Sequence, residues 1–285
     1  MAIRPALIGA ALIGAAGVLA AAPADRGPPH QGDVPQRILS LNLCTDQLLL
    51  ALADRRQIVG LTHNARDPGL SAVPTLARGL PQHHGSAEQL LAANPDLVVG
   101  MPARGSAALA ALPDARYPLL DVVPANHLDD IYRAIRQTAA AVGHPERGDA
   151  LIADMQGDLA ALPRPGRGRV AAYYQRRGYM TGTGTLVDDL MTRAGLVNLA
   201  ARLGRPPLAQ VSLEEMVAAD PDFLIVESAT DAVTDQGSEM LHHPAFDHIP
   251  RISVPQAWTV CGGPAYARAA QSIAAQIVRH DGGGA

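Results

Sequence analysis

Cys44, Cys261 and a small set of histidines and aromatics are the residues whose chemistry could decide what this 285-residue chain does. Cys44 sits between a strand-like and a helix-like segment, where a helix N-terminus lowers a thiol pKa and makes a nucleophile. A buried or disulfide-bonded cysteine is the alternative, and a partner 217 residues away leaves both readings open. The pairs His83-His84 and His242-His243 offer imidazole, the commonest side-chain ligand of transition metals. Adjacent residues point in different directions, however, and no His-x-x-x-His spacing occurs, so solvated loop histidines and no protein-bound metal are expected. The TGTGT run at 181–185 is either an anion cradle or an ordinary tight turn ahead of a helix. Trp258 is the only tryptophan, placed just before the CGGP of 261–264, and reads as core or as a ligand platform.

These groups must be positioned by elements, and the clearest elements come as a repeat. Residues 86–99 (SAEQLLAANPDLVV) reappear at 212–225 (SLEEMVAADPDFLI), with six of fourteen positions identical. Each copy reads as a helix capped by Ser86 or Ser212, with Gln89 or Glu215 completing a capping box. A proline then stops the helix, and an apolar run follows as a buried strand. A unit recurring after 126 residues is too long for a solenoid and indicates two similar lobes.

The order of the remaining segments supports that division. Strands are expected at 37–41, 57–61 and 118–123, a helix at 47–53 capped near Thr45 or Asp46, and a long polar loop at 62–85. Helical periodicity fills 129–142 and 146–162. A strand at 169–174, a helix at 186–194, a strand at 251–254 and a helix at 265–278 complete the second half. Strands alternating with helices indicate α/β architecture with mainly parallel sheets. In such sheets ligands gather at the carboxyl ends of the strands. That rule selects 42–46 and the stretch with His83 and His84 in one lobe, and 174–185 and 258–264 in the other.

Composition narrows the classes. Apolar residues make up 48% and charged residues 18%, a balance that excludes disorder. A net charge of −4, with no basic run, excludes nucleic acid as a partner. Arg4, the apolar stretch 5–19 and the small residues of 20–24 form a cleavable export signal. The expected divisions are a signal peptide at 1–24, a linker at 25–36, an N-terminal lobe at 37–126, a helical linker at 127–165, a C-terminal lobe at 166–280 and a polar tail from 281.

Four motifs in this order resemble the class III periplasmic solute-binding proteins of ABC importers. They are residues 37–42 (RILSLN) with TDQL at 45–48, the two Ser-x-Glu…Pro-Asp units, and residues 185–195 (TLVDDLMTRAG) with Asn198. The resemblance covers about 37–278. It implies two Rossmann-like lobes with mainly parallel sheets, joined by a long backbone helix, with one ligand in the cleft between them. It also implies that Glu88 and Glu214, one per lobe, dock into an ABC permease of the inner membrane.

The resulting expectation is a monomeric periplasmic binding protein, not an enzyme. It has no intrinsic cofactor and takes an iron-siderophore, haem or cobalamin-like metal chelate. Asn42, Cys44, Thr45, His83, His84, Tyr174, Tyr179, Trp258 and Cys261 are the ligand-contact candidates. Two rivals are a secreted α/β cysteine hydrolase with Cys44 as nucleophile, and a free metal-ion scavenger using His83 and His84.

Overall fold

The computed structural model describes residues 34–112, 117–233 and 235–282. The export signal and most of the linker therefore lie outside the described residues. The N-terminal lobe runs β1 (Ile38–Ser40), α1 (Leu43–Leu52), β2 (Ile58–Thr62), β3 (Gln82–His83), α2 (Ala87–Ala93), β4 (Leu97–Gly100), α3 (Ala107–Ala110) and β5 (Leu119–Asp121). Its five strands lie in the order β3-β2-β1-β4-β5, with every pair parallel. Two helices follow, α4 (Leu128–Ala141) and α5 (Pro145–Ala160).

The C-terminal lobe then runs β6 (Val170–Tyr174), β7 (Tyr179–Thr181), α6 (Leu186–Arg193), β8 (Val197–Asn198), α7 (Leu199–Arg202), β9 (Leu208–Gln210) and α8 (Leu213–Ala219). It ends with β10 (Phe223–Glu227), α9 (Gln236–Glu239), β11 (Arg251–Val254), α10 (Gln256–Thr259) and α11 (Ala265–Gly282). The sheet order is β11-β10-β6-β7-β9, with β8 also on β6. The pairs β11-β10, β10-β6 and β6-β8 are parallel, whereas β7 runs antiparallel to both neighbours.

The two repeat copies do the same work in both lobes. Ser86 and Ser212 accept the backbone N–H of Gln89 and Glu215 at 3.3 and 3.1 Å. Both helices end on a left-handed residue, Asn94 at φ 41° and Asp220 at φ 39°, from which the Pro-Asp pair leaves. Asp96 then accepts the N–H of Gln36 and Arg37, each at 2.8 Å, and Asp222 accepts that of Val170 at 2.7 Å. Each Pro-Asp thus pins the amino end of its lobe's central strand, β1 or β6. The second capping box is only half formed, because the Glu215 carboxylate turns to Arg205 instead of back to the cap. A charge-assisted bond to guanidinium outcompetes a neutral N–H.

Between the lobes the two helical segments read at 129–142 and 146–162 form a helical hairpin, α4 and α5. Gly143 takes φ +86° and Pro145 starts a new helix, so the chain reverses between α4 and α5. The two pack closely: a Cβ at Gly148 would lie 2.6 Å from that of Ala139. The second arm, α5, is about 24 Å long at 1.5 Å per residue and leads from one lobe to the other. Arg147 in its first turn holds the Leu52 carbonyl at 3.1 Å and Asp54 at 2.7 Å. Its Met155 and Leu159 belong to an apolar cluster that runs without a break from Ile38 and Leu49 to Ile225 and Ile273. That shared core opposes large lobe movement. α11 continues to Gly282, two residues into the expected tail, and Asp281 pairs with Arg169 at 2.7 Å.

Candidate functional site

The carboxyl ends of both sheets meet along one seam. Asn42, at the end of β1, caps α1 by accepting the N–H of Thr45 at 3.2 Å. The helix therefore begins earlier than the sequence pattern suggested, and Cys44 and Thr45 stand in its first turn. Cys44 is disulfide-bonded to Cys261 beyond α10, a covalent link between the lobes. Next to it, a Cβ at Gly262 would lie 2.3 Å from that of Ala125, which follows β5, so only glycine permits this approach. Arg268 of α11 reaches the Ala72 carbonyl of the other lobe at 3.3 Å while its guanidinium lies 5.7 Å from the Trp258 ring centre. His127, which caps α4, stands 3.6 Å from Asp189 of α6.

A pocket of about 230 Å³ opens at the carboxyl edge of the C-terminal sheet, lined by residues that include Tyr173, Gln175, Thr181, Glu227, Gln256 and Thr259. Along β6, Ala171 and Tyr173 face the shared core, whereas Val170, Ala172 and Tyr174 face the outer one. Tyr174 is therefore corrected as a ligand candidate: it is fully buried, and its hydroxyl donates to the Val211 carbonyl at 3.0 Å. Its neighbour Tyr173 lines the pocket, hydrogen-bonded to Thr259 at 3.2 Å. Burial, and secondarily the Glu227 charge, raise the Tyr173 phenol above the usual range, so it is a neutral hydroxyl and no phenolate. Tyr179 is exposed and shares a β7 face with the pocket residue Thr181, because Met180 between them points into the outer core. Trp258 is half-buried in α10, beside the pocket residue Thr259. The TGTGT turn holds no open anion cradle, since the Asp188 carboxylate accepts the Gly184 N–H at 3.0 Å.

The N-terminal wall differs more from expectation. His83 is buried; its Nε2 lies 2.7 Å from the Ser40 carbonyl and its Nδ1 accepts the Gly85 N–H. With both ring nitrogens engaged it is a structural residue. Thr45 is fully buried and hydrogen-bonded to Ser40 at 2.7 Å, so it too leaves the list of ligand contacts. His84 is exposed and stacks on His63, ring centres 4.8 Å apart, at the ends of β3 and β2. His63 escaped the sequence reading because β2 was ended at Leu61, one residue short of the edge.

Asp46 ties this edge together by accepting the backbone N–H of Thr62 at 3.0 Å and its hydroxyl. Burial raises its pKa to about 6, against which the Ser40 and Thr62 hydrogen bonds act. The native state thus holds a proton that the unfolded chain releases near pH 4. This group's contribution is full below pH 4 and is lost as pH rises to about 6, roughly 3 kcal/mol in all. Urea midpoints at pH 4 and 7 should show this slope in the wild type and lose it in Asp46→Asn. An unchanged slope would remove Asp46 as its source.

Glu88 and Glu214 occupy matching exposed positions in the first turns of α2 and α8. Each carboxylate is held below its ordinary range, first by its own backbone N–H and then by Ser86 or Ser212, with His243 adding to Glu214. A recess of about 450 Å³ with Asp231, His242 and Arg251 begins at the amino end of β11, away from the ligand edge. Among the described residues no three His, Cys, Asp or Glu side chains converge as a metal-ion site. The cysteine-hydrolase and scavenger readings fall with these observations, since Cys44 has no free thiol and His83 no free nitrogen.

Comparison with known proteins places this geometry among solute binders. A family model described as periplasmic binding protein matches residues 38–252. A vitamin B12-binding protein of Pectobacterium carotovorum subsp. carotovorum is 26% identical over 259 residues, covering 86% of this chain and 89% of the relative. The structure of a periplasmic heme-binding protein from Roseiflexus sp. RS-1 in apo form matches with a TM-score of 0.68 at 27% identity, over 85% of this chain and 97% of that one. A periplasmic vitamin B12 binding protein of Vibrio cholerae shares the fold, with a TM-score of 0.65 at 17% identity, over 87% and 98% of the two chains.

Proposed function

The chain belongs to the periplasmic binding protein family, and from that premise we propose that it is the substrate-binding component of an ABC importer. It captures a metal chelate of the iron-siderophore, haem or cobalamin type between its lobes and delivers it to a permease in the inner membrane. The observation that carries this reading is the polar pocket at the carboxyl edge of the C-terminal sheet, beside Trp258 and the disulfide that ties the two lobes. A pocket of about 230 Å³ is smaller than the roughly 300–1,000 Å³ of a site that encloses a whole cofactor-sized ligand. A chelate would fill it with one edge and lay the remainder against the N-terminal lobe. His63 and His84, stacked at the carboxyl edge of the N-terminal sheet, are then the candidate metal contacts, and Asn42, Tyr179 and Trp258 remain the other contacts. Cys44 and Cys261 frame the site as a disulfide and donate nothing to the ligand.

Periplasmic residence and a monomeric working unit follow from the same reading, with residues 1–24 as the export signal. No helix of the described residues is long and apolar enough to cross a membrane. The test is a fluorescence titration. As the sole tryptophan, Trp258 should be quenched by the bound chelate with saturating, one-to-one stoichiometry and no turnover. Absence of quenching by cobalamin, hemin and ferric siderophores alike would contradict the proposal.

A further inference from the structure

The pocket at the C-terminal edge is lined by a carboxylate, Glu227, that no cation of the described residues pairs. Glu227 is the last residue of β10 and is 8% exposed, with its side chain among the pocket's lining. Among the described residues one hydrogen bond reaches that carboxylate, from the Nε2 of Gln175 at 3.1 Å. The Gln175 Oε1 in turn accepts the Thr181 hydroxyl at 3.2 Å. A carboxylate only accepts, so the amide must turn its NH₂ toward Glu227 and its oxygen toward Thr181. The relay Thr181 to Gln175 to Glu227 therefore sends its protons in one direction and ends on an anion. Among the described residues no arginine or histidine stands within ion-pair distance of Glu227. Tyr173, close enough for its phenol to be raised by the Glu227 charge, is hydrogen-bonded to Thr259.

A buried carboxylate without a cation is costly unless something supplies donors. The remaining Glu227 oxygen is not among the buried side-chain atoms that lack a partner, so it is open to the pocket, where a ligand donor would take the place of water. A primary amide or a protonated amine would complete the relay with a charge-assisted hydrogen bond. A ligand carboxylate in the same place would meet like charge at close range.

We propose that Glu227 is the specificity-determining residue of this site, taking a peripheral amide or ammonium group of the chelate and rejecting chelates whose periphery is carboxylate. This rests on the chelate-binding reading above. It assigns Gln175 and Thr181 as positioning residues that hold the acceptor in place, and it distinguishes classes of chelate that share a ring and a metal. An ordinary charge-assisted bond predicts a preference on the order of tenfold to a hundredfold.

The experiment is a matched-probe titration followed by Trp258 fluorescence. Dicyanocobinamide carries amides around a cobalt corrin, and dicyanocobyrinic acid carries carboxylates around the same ring. Ferrioxamine B, with a free ammonium, and hemin, with two carboxylates, form a second pair. The wild type should bind the amide or ammonium member of a pair at least tenfold more tightly. Glu227→Gln is isosteric and should reduce that preference at least tenfold, while Glu227→Asp, which keeps the charge, should retain most of it. Thermal midpoints of both variants check that they are folded. Equal preference in wild type and Glu227→Gln overturns the assignment and leaves the chelate reading intact, as does a wild type that favours the carboxylate member. If the wild type binds none of the four probes, the chelate reading fails and the role of Glu227 with it.

Discussion

A variant with both Cys44 and Cys261 replaced by alanine is expected to lose about 3–5 kcal/mol of stability and roughly 10 °C of Tm. The two residues are 217 apart in sequence, so the bond closes one of the longest loops this chain allows. Its absence returns that loop-closure entropy to the unfolded chain. The native fold should survive, because the apolar cluster from Ile38 through Met155 to Ile273 spans both lobes without it. The loss should appear mainly as slower refolding, with a wider spread of lobe positions at the seam by Gly262 and Ala125. Urea denaturation with and without reductant separates the cause: reductant should destabilise the wild type to the level of the variant and leave the variant unchanged. A loss below about 1 kcal/mol would mean that the lobe core alone sets the stability.

Glu88→Ala with Glu214→Ala should leave chelate affinity within about twofold and cut import at least tenfold, the scale of losing two interfacial charge contacts. Both carboxylates are exposed and sit at one position of a repeated unit, one on each lobe. Each carboxylate is held below its ordinary range by its own backbone N–H and its cap serine, so both present a negative charge. Neither lines the pocket. Measuring ligand binding on the purified variant and uptake in cells expressing it with its permease divides the two functions. Normal uptake with weakened binding would reverse the assignment of these residues.

How much of this was legible in the sequence depended on whether the deciding physics is local. The repeat was legible because caps, a proline stop and a buried strand are each written within a few residues. The role of its Pro-Asp was not, since Asp96 and Asp222 act on the starts of distant strands. Tyr173 and Tyr174 were exchanged because β6 is buried on both faces and reads as an unbroken apolar run, with no alternation to say which side chain faces the pocket. His83 and His84 were separated only by how β3 enters the sheet. The Cys44–Cys261 pairing is a tertiary fact that spacing cannot supply. Glu227 did leave a signal, a charge ending an apolar strand at the carboxyl edge. The rule that picked the loops would have found it had the strand been followed two residues past the repeat.

The central claim, that this protein carries a metal chelate between its lobes, is tested most directly by native mass spectrometry of the protein purified from the periplasm of its own organism. The expected spectrum shows the mature chain with one added mass matching a metal chelate, released intact on denaturation with its metal isotope pattern. A population that carries only bare metal ions, or a ligand without metal, would contradict it.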